Sequence, residues 1–292
     1  QQSLLRLITR INDTHSNLWS GISARPPVGP CQLPVDTRFV EGKAIVTRNS
    51  ARNAEQAGPL QAGDVILRLG GKSMEELVEE IKPYYAASNE PTRLRDIGNY
   101  FSRGACGMAS LTIDRAGNSM EIEAERILVS AIDTSRWNIH DIPGPVFRKL
   151  EDDVAYLKLS AVRSADAAAY ISQAEGTKGL IIDIRNYPSE FVVFSLGARL
   201  IQEPTDFAVF TAADLANPGA FRFRSGDRIL PVAPRYEGKV VILVDEVSQS
   251  QAEYTTMAFR TAPGAIVIGS TTAGADGNVS LIPLPYGQSS YI

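Results

Sequence analysis

The chain has 292 residues, a formal net charge of −4, 44% hydrophobic residues and 21% charged residues. That length suggests about two domains, each large enough for its own core, and the acidic balance argues against a nucleic-acid-binding surface. No apolar run approaches the ~20 residues of a membrane-spanning helix. With two cysteines and two histidines in the whole chain, a structural zinc site is not expected, and nothing in the sequence asks for a cofactor.

The chain opens without a Met, inside an amphipathic pattern, so the lack of a targeting segment says nothing about compartment. Leu4, Leu5, Ile8 and Ile11 follow helical spacing and predict a helix over 3–12. The polar run Asn12-Asp13-Thr14-His15 ends it, and Pro26, Pro27, Pro30 and Pro34 mark an extended connector. A β-rich pattern begins at Phe39: strands at 44–47 and through Val65 to Leu69, a tight turn at Gly70-Gly71, a helix over 74–81, and a hairpin of 110–115 with 120–124. Cys31 and Cys106 can form a disulfide or remain free thiols, and the spacing leaves both open. A connector holding Pro143-Gly144-Pro145 covers 129–147.

Strands and helices then alternate. Strands are expected at 154–159, 179–185, 240–244 and 265–269, and helices at 166–174, 192–201 and 252–260, which predicts an α/β layer with parallel strands. Val240 to Val244 reads as a buried strand, and the turn after it carries Ser248 and Ser250 before the next helix. A serine here can cap the helix, or attack a carbonyl while backbone N–H groups hold the oxyanion.

Three segments resemble the C-terminal processing protease family, in its tricorn-protease-like branch. Val241 to Met257 is similar to that family's V-L-(I/V)-(N/D)-x-x-(S/T)-x-S-x-(A/S)-E, residues 179–190 are similar to its G-L-I-(I/L/V)-D-(L/T)-R-x-N-(P/G)-G-G, and Thr14-His15 is similar to the branch's element after an N-terminal helix. The segment Ala57-Gly58-Pro59-Leu60-Gln61-Ala62-Gly63-Asp64-Val65-Ile66 resembles a PDZ domain, with 83–104 as an insertion and without the usual glycine-rich carboxylate loop. The resemblance implies a ClpP/crotonase-like α/β core at 148–292 that ends before it is complete. It also implies an N-terminal helical segment at 1–24 and an inserted PDZ-like domain at 25–128.

The resemblance further implies a serine endopeptidase acting through an acyl-enzyme, with a weakly active or inactive peptide-binding protein as the alternative. Ser250 matches the nucleophile and Ser248 a turn residue. Gln251 N–H matches one oxyanion donor, and Ser189 N–H the second, because Pro188 cannot donate and serine stands where the family has glycine. Ala275 occupies the position of the family's lysine, so His15 is the expected base, with Thr14 linking it to an acid expected beyond Ile292. Gly274 and Asp276 are expected to border the substrate cleft. Asp183 and Arg185 are expected to brace the strand, and His140 to be structural. A polypeptide substrate, no nucleic acid, no metal and a periplasmic or surface-attached location complete the expectation.

Overall fold

The computed structural model describes residues 1–291; Ile292, which the sequence places in a last strand, lies outside them. Two compact units emerge: residues 1–137 together with the segment from Ala273 onward, and Asn138–Thr272.

In the first unit, α1 (Gln2–Ile8) tightens into a 3-10 turn, Thr9–Ile11, and stops at Asn12, which takes a left-handed φ of 54°. The expected ten-residue helix is shorter because asparagine tolerates that conformation and ends helices. Leu5 and Ile8 pack on Leu18 and Ala86, with Leu284 against them. The strands β1 (Cys31–Gln32), β2 (Val35–Val40), β3 (Lys43–Asn49), β4 (Val65–Leu69) and β5 (Lys72–Ser73) follow. Next come α2 (Met74–Ile81), α3 (Glu90–Gly98), β6 (Gly107–Arg115) and β7 (Asn118–Leu128).

The sheet runs β1-β7-β6-β4-β3-β2, with β5 on β4. Gly70 and Gly71, at φ 58° and 83°, form the β4–β5 turn, the two-positive-φ geometry that suits hairpins. One sheet face, through Val46, Ile66, Leu111 and Ile113, packs with Val78 and Ile81 of α2 and Ile97 of α3. The region expected as an insertion thus contributes a helix to this core, capped by Asn89, whose Oδ1 accepts from Thr92 N–H at 3.0 Å.

In the second unit, β8 (Phe147–Lys149), β9 (Val154–Lys158), α4 (Ala167–Ala174), β10 (Gly179–Asp183) and α5 (Val193–Gly197) come first. The short strands β11 (Thr205–Ala208), β12 (Thr211–Ala213), β13 (Phe221–Phe223) and β14 (Asp227–Ile229) follow, then β15 (Lys239–Val244), α6 (Gln251–Phe259) and β16 (Ile266–Gly269). Its sheet runs β16-β15-β10-β9-β8, with β9, β10, β15 and β16 mutually parallel and β8 antiparallel. The parallel α/β layer expected from the alternation is present. Leu157, Ile182, Ile242 and Phe259 lie in its core.

Three expectations change. The helix expected over 192–201 ends at Gly197. Arg199 and Leu200 N–H turn to the i−3 carbonyls of Leu196 and Gly197, at 2.9 and 3.0 Å, so the last turn tightens, and the free carbonyls of Ala198 and Arg199 accept from Val232 and Tyr236 N–H, both at 2.8 Å. The pairs β11–β14 and β12–β13 are antiparallel ribbons in a stretch with no expected element. The boundaries of the last region shift as well: β17 (Leu281–Leu284) and β18 (Gln288–Tyr291) form a hairpin in the first unit. Ser289 N–H donates to Ser20 Oγ at 2.9 Å, and Tyr291 meets Trp19 edge-on at 5.9 Å. These contacts also bind residues 1–24 to the unit that holds 25–128.

Cys31 and Cys106 form a disulfide, 75 positions apart. Cross-linking a loop of that size removes freedom from the unfolded chain. Cys106→Ala is therefore expected to destabilise the first unit by about 2–4 kcal/mol, read as a lower urea midpoint that reducing agent reproduces in the parent.

Asp64 accepts from Gln61 N–H at 2.8 Å and from Arg115 Nε and Nη2 at 2.7 and 2.8 Å. The Arg115 hydrogen bonds, against a smaller opposing effect of burial, hold its carboxyl below the usual range. A carboxyl depressed in the folded state stabilises fully above its unfolded pKa of about 3.9 and loses that contribution as pH falls through the folded value. Urea midpoints measured from pH 5 downward should fall less steeply in Arg115→Ala than in the parent.

Candidate active site

β10 and β15 are parallel neighbours in register from Gly179↔Lys239 to Asp183↔Leu243, so their carboxyl ends open side by side, where ligands of open α/β sheets bind. The turn leaving β15 is fixed by its own side chains. Asp245 Oδ1 accepts from Val247 N–H at 3.1 Å, and Asp245 O accepts from Ser248 N–H at 2.9 Å. The buried Ser248 Oγ accepts from Asp245 N–H at 3.1 Å and donates to Ile184 O at 2.6 Å, tying this turn to the loop that leaves β10. Ser248 is the turn residue expected of it.

Ser250 stands before the first residue of α6. Glu253 reaches back to accept from Ser250 N–H at 3.1 Å, in a capping box, and also accepts from Thr272 Oγ1 at 2.7 Å. Ser250 thus stands at the capping position of α6. Its backbone is not that of a cap: φ is 54° and ψ −116°. The N-cap residues of α2 and α3, Ser73 (−66°, 158°) and Asn89 (−152°, 167°), are extended, as caps usually are. A non-glycine residue at positive φ carries strain of about 1–3 kcal/mol and persists only where its surroundings over-determine it. A serine raised on such a strand-to-helix turn is the backbone arrangement that presents a nucleophile. Gln251 N–H, at the first helical position, has no intrahelical carbonyl to reach.

The loop after β10 corrects one expectation. Ser189 N–H donates to Leu159 O at 2.9 Å, and its hydroxyl donates to Val162 O at 2.6 Å. The N–H read as the second oxyanion donor is thus committed to the β9 side of the sheet. Asp183 and Arg185 brace the strand as expected: Arg185 Nε and Nη2 donate to the two Asp183 oxygens at 3.0 and 2.7 Å, and Tyr156 OH donates to Asp183 Oδ2 at 2.8 Å. The Asp183 carboxylate pushes the Arg185 guanidinium further up. Burial, with Asp183 adding to it, pushes the Tyr156 hydroxyl well above the phenolic range.

The structure gives His140 a specific structural role. Its Nδ1–H donates to Asp245 Oδ2 at 2.7 Å and its backbone N–H to Arg185 O at 2.8 Å. One residue from the 129–147 connector thus pins the loops that leave β10 and β15. Sequence reading paired no partner with this histidine because Asp245 lies about a hundred positions away. Glu246 Oε1 stands 3.9 Å from the same nitrogen. Among the described residues, His140, Asp245 and Glu246 form the cluster with metal-ligand chemistry. The 2.7 Å spacing is that of a charge-assisted hydrogen bond, shorter than the separation of about 3.3 Å between two ligands each ~2.0–2.1 Å from one tetrahedral zinc.

The other expected residues lie in the first unit. His15 N–H donates to Asp13 Oδ1 at 2.6 Å, His15 Nδ1 lies 3.7 Å from that oxygen, and His15 O accepts from Trp19 Nε1 at 2.8 Å. Thr14 is buried; its Oγ1 donates to Ser88 Oγ at 3.2 Å and accepts from Ser88 N–H at 3.0 Å. Thr14 thereby clamps its turn onto Ser88. Gly274, at φ 65°, would place a Cβ 3.6 Å from Ser88 Cβ and 3.3 Å from Asn89 Nδ2. The segment carrying Gly274 and Asp276 thus belongs to the unit of His15, while Ser250 and Gln251 belong to the α/β unit.

The strain at Ser250 has a measurable consequence. Glycine adopts positive φ without penalty but costs about 0.5–1 kcal/mol in chain entropy, less than a strain of about 1–3 kcal/mol. Ser250→Gly is expected to raise the stability of the second unit by up to about 2 kcal/mol in urea denaturation, while Ser250→Ala, which keeps the strain, gives no such gain.

Residues 153–291 match peptidase family S41. No curated protein matches the chain. Among solved structures, mature CPAF complexed with lactacystin is similar at a TM-score of 0.72 and 16% identity, over 100% of this chain and 78% of that one. Mature CPAF alone is similar at 0.69 and 15%, over 100% and 77%. The photosystem II D1 C-terminal processing protease aligns at 0.43 and 15%, over 99% and 74%. At these identities the likeness to CPAF shows a shared fold. The match of residues 153–291 to peptidase family S41 agrees with the resemblance to the C-terminal processing proteases that the sequence carries.

Proposed function

We propose that the protein is a serine endopeptidase with Ser250 as its nucleophile and His15 as its base. The observation that carries this reading is the backbone of Ser250, strained at φ 54° on the turn from a central parallel strand into α6. Ser250 Oγ attacks the peptide carbonyl as His15 takes its proton, and Gln251 N–H stabilises the oxyanion. His15 returns the proton to the leaving amine, which departs with its electron pair as the acyl-enzyme forms. Water, deprotonated by His15, then hydrolyses the ester and restores Ser250. Thr14 holds the histidine's turn onto Ser88, and Gly274 and Asp276 border the cleft.

The α/β unit is read as a ClpP/crotonase-like core and the antiparallel sheet of the first unit as a PDZ-like domain. The Cys31–Cys106 disulfide supports an extracytoplasmic location, since such bonds persist in oxidising compartments. One observation favours the alternative, a peptide-binding protein with little turnover: Ser189 N–H is bonded to Leu159 O, so a second oxyanion donor at that position requires the loop to move.

A fluorophosphonate probe separates the two. The intact protein is expected to be labelled, labelling to vanish in Ser250→Ala, and the rate in His15→Ala to fall by about 10²–10⁴-fold, the usual contribution of a general base. A folded, full-length protein that takes no label would rule the peptidase reading out.

A further inference from the structure

An aromatic cluster sits beside the nucleophile turn, within the α/β unit. Tyr254 lies one helical turn after Ser250 and donates its N–H to Ser250 O at 3.0 Å. Helical side chains lean toward the helix N-terminus, so the Tyr254 ring covers the surface on the Ser250 side of its own Cα. Its hydroxyl is anchored on Asp227 Oδ2 at 2.6 Å, at the start of β14. Around this ring stand Phe207, edge-on at 5.0 Å, Phe210 at 6.0 Å, and Phe191, stacked at 6.0 Å with 20° between planes. Phe194 closes the group, 5.9 Å from Phe191 and 6.2 Å from Phe207.

The cluster has a packed floor and an open rim. Phe207 is 8% exposed, whereas Phe191 and Phe194 are 49% and 45% exposed. Two phenyl rings left half in water against a packed aromatic base are unfavourable unless something covers them. The rim is also fixed to the catalytic turn: Gln251 Nε2 donates to Glu190 O at 3.0 Å, so the residue after Ser250 holds the one before Phe191. The Tyr254 hydroxyl is turned to the Asp227 carboxylate, which leaves the ring faces as the contact surface.

We infer that Phe191, Phe194 and Tyr254 form a specificity subsite for a large apolar, preferentially aromatic, side chain of the substrate residue adjoining the bond that Ser250 attacks. This rests on Ser250 being the nucleophile, and it narrows the substrate class from any polypeptide to segments with an aromatic or bulky aliphatic residue at the cut. Stacking on Phe191 supplies the geometry aromatic pairs favour. A carboxylate in the same place meets ring faces and loses water without a partner.

Short acetylated peptides identical but for one central residue, Phe, Ala or Asp, test this in two ways. Affinity is measured by calorimetry on Ser250→Ala, which cannot turn over, and kcat/KM on the parent protein. The Phe peptide is expected to exceed the Ala peptide by about tenfold or more in both, with the Asp peptide weakest. Phe191→Ala and Phe194→Ala are each expected to collapse the Phe-to-Ala ratio toward one. Equal affinities for the three peptides, or variants that leave the ratio unchanged, would overturn the subsite. The fluorophosphonate arm keeps the two proposals apart. An unlabelled Ser250 with the Phe preference intact removes the peptidase, and with it the place at a cut bond, and keeps the aromatic-binding site alone. A labelled Ser250 without that preference removes the subsite alone.

Discussion

Ser250 is held at a backbone conformation that serine seldom adopts, and the residues around it make sense as the means of holding it there. On one side, the Asp245–Ser248 turn is closed by Val247 N–H on Asp245 Oδ1, by Asp245 N–H on Ser248 Oγ, and by Ser248 Oγ on Ile184 O. On the other, Glu253 takes Ser250 N–H and is itself held by Thr272. Each such bond contributes about 0.5–1.5 kcal/mol, so together they offset a local strain of about 1–3 kcal/mol. The acidic residue that closes the serine motif is thereby explained by backbone geometry, with no chemistry required of it.

The same economy of parts links the two central loops. Ile184 O accepts Ser248 Oγ, Arg185 O accepts His140 N–H, and His140 Nδ1–H bonds Asp245. The loops leaving β10 and β15 are therefore joined by two independent routes, one through a hydroxyl and one through an imidazole. Asp183, which sits at the end of β10, is occupied by Arg185 and Tyr156 and keeps that strand end rigid. The Ser250 turn rests on a network of buried, mutually satisfied polar groups, which makes its geometry specific as well as stable. At the end of β16, Gly269 completes the platform: at φ 140° any Cβ would lie 1.8 Å from Val244 O, so only glycine lets the two strands meet there.

Several elements were legible because local pattern and final environment agree. The run Val240 to Val244 is apolar, β-branched and buried, and it is a central strand. The helix read over 74–81 is α2, Met74–Ile81. Gly70-Gly71 marks a hairpin and makes one. Where sequence misled, a distant partner had intervened. The end of the helix after Val192 is fixed by the chain returning through Val232 and Tyr236, which takes the carbonyls of Ala198 and Arg199 just past it. Ser189 N–H looked available because the residue that captures it, Leu159, lies thirty positions earlier. The ribbons between Thr205 and Ile229 are short and largely exposed, which leaves no periodic apolar signal to read.

By itself the sequence determined the order of the elements, the parallel α/β layer, and which serine stands before α6, because these follow from apolar periodicity and from residues a few positions apart. It could not decide between disulfide and free thiols at Cys31 and Cys106, assign Thr14 to Ser88, bring His140 to Asp245, or gather Phe191, Phe194, Phe207 and Tyr254 around one ring. Nor could it show that Ser250 departs from an ordinary cap, since the strain is supported by residues scattered from Ile184 to Thr272. Those are contacts between segments far apart in the chain. Their free energy exists only once the intervening loops have closed and the strands have aligned, so the tertiary structure alone decides them.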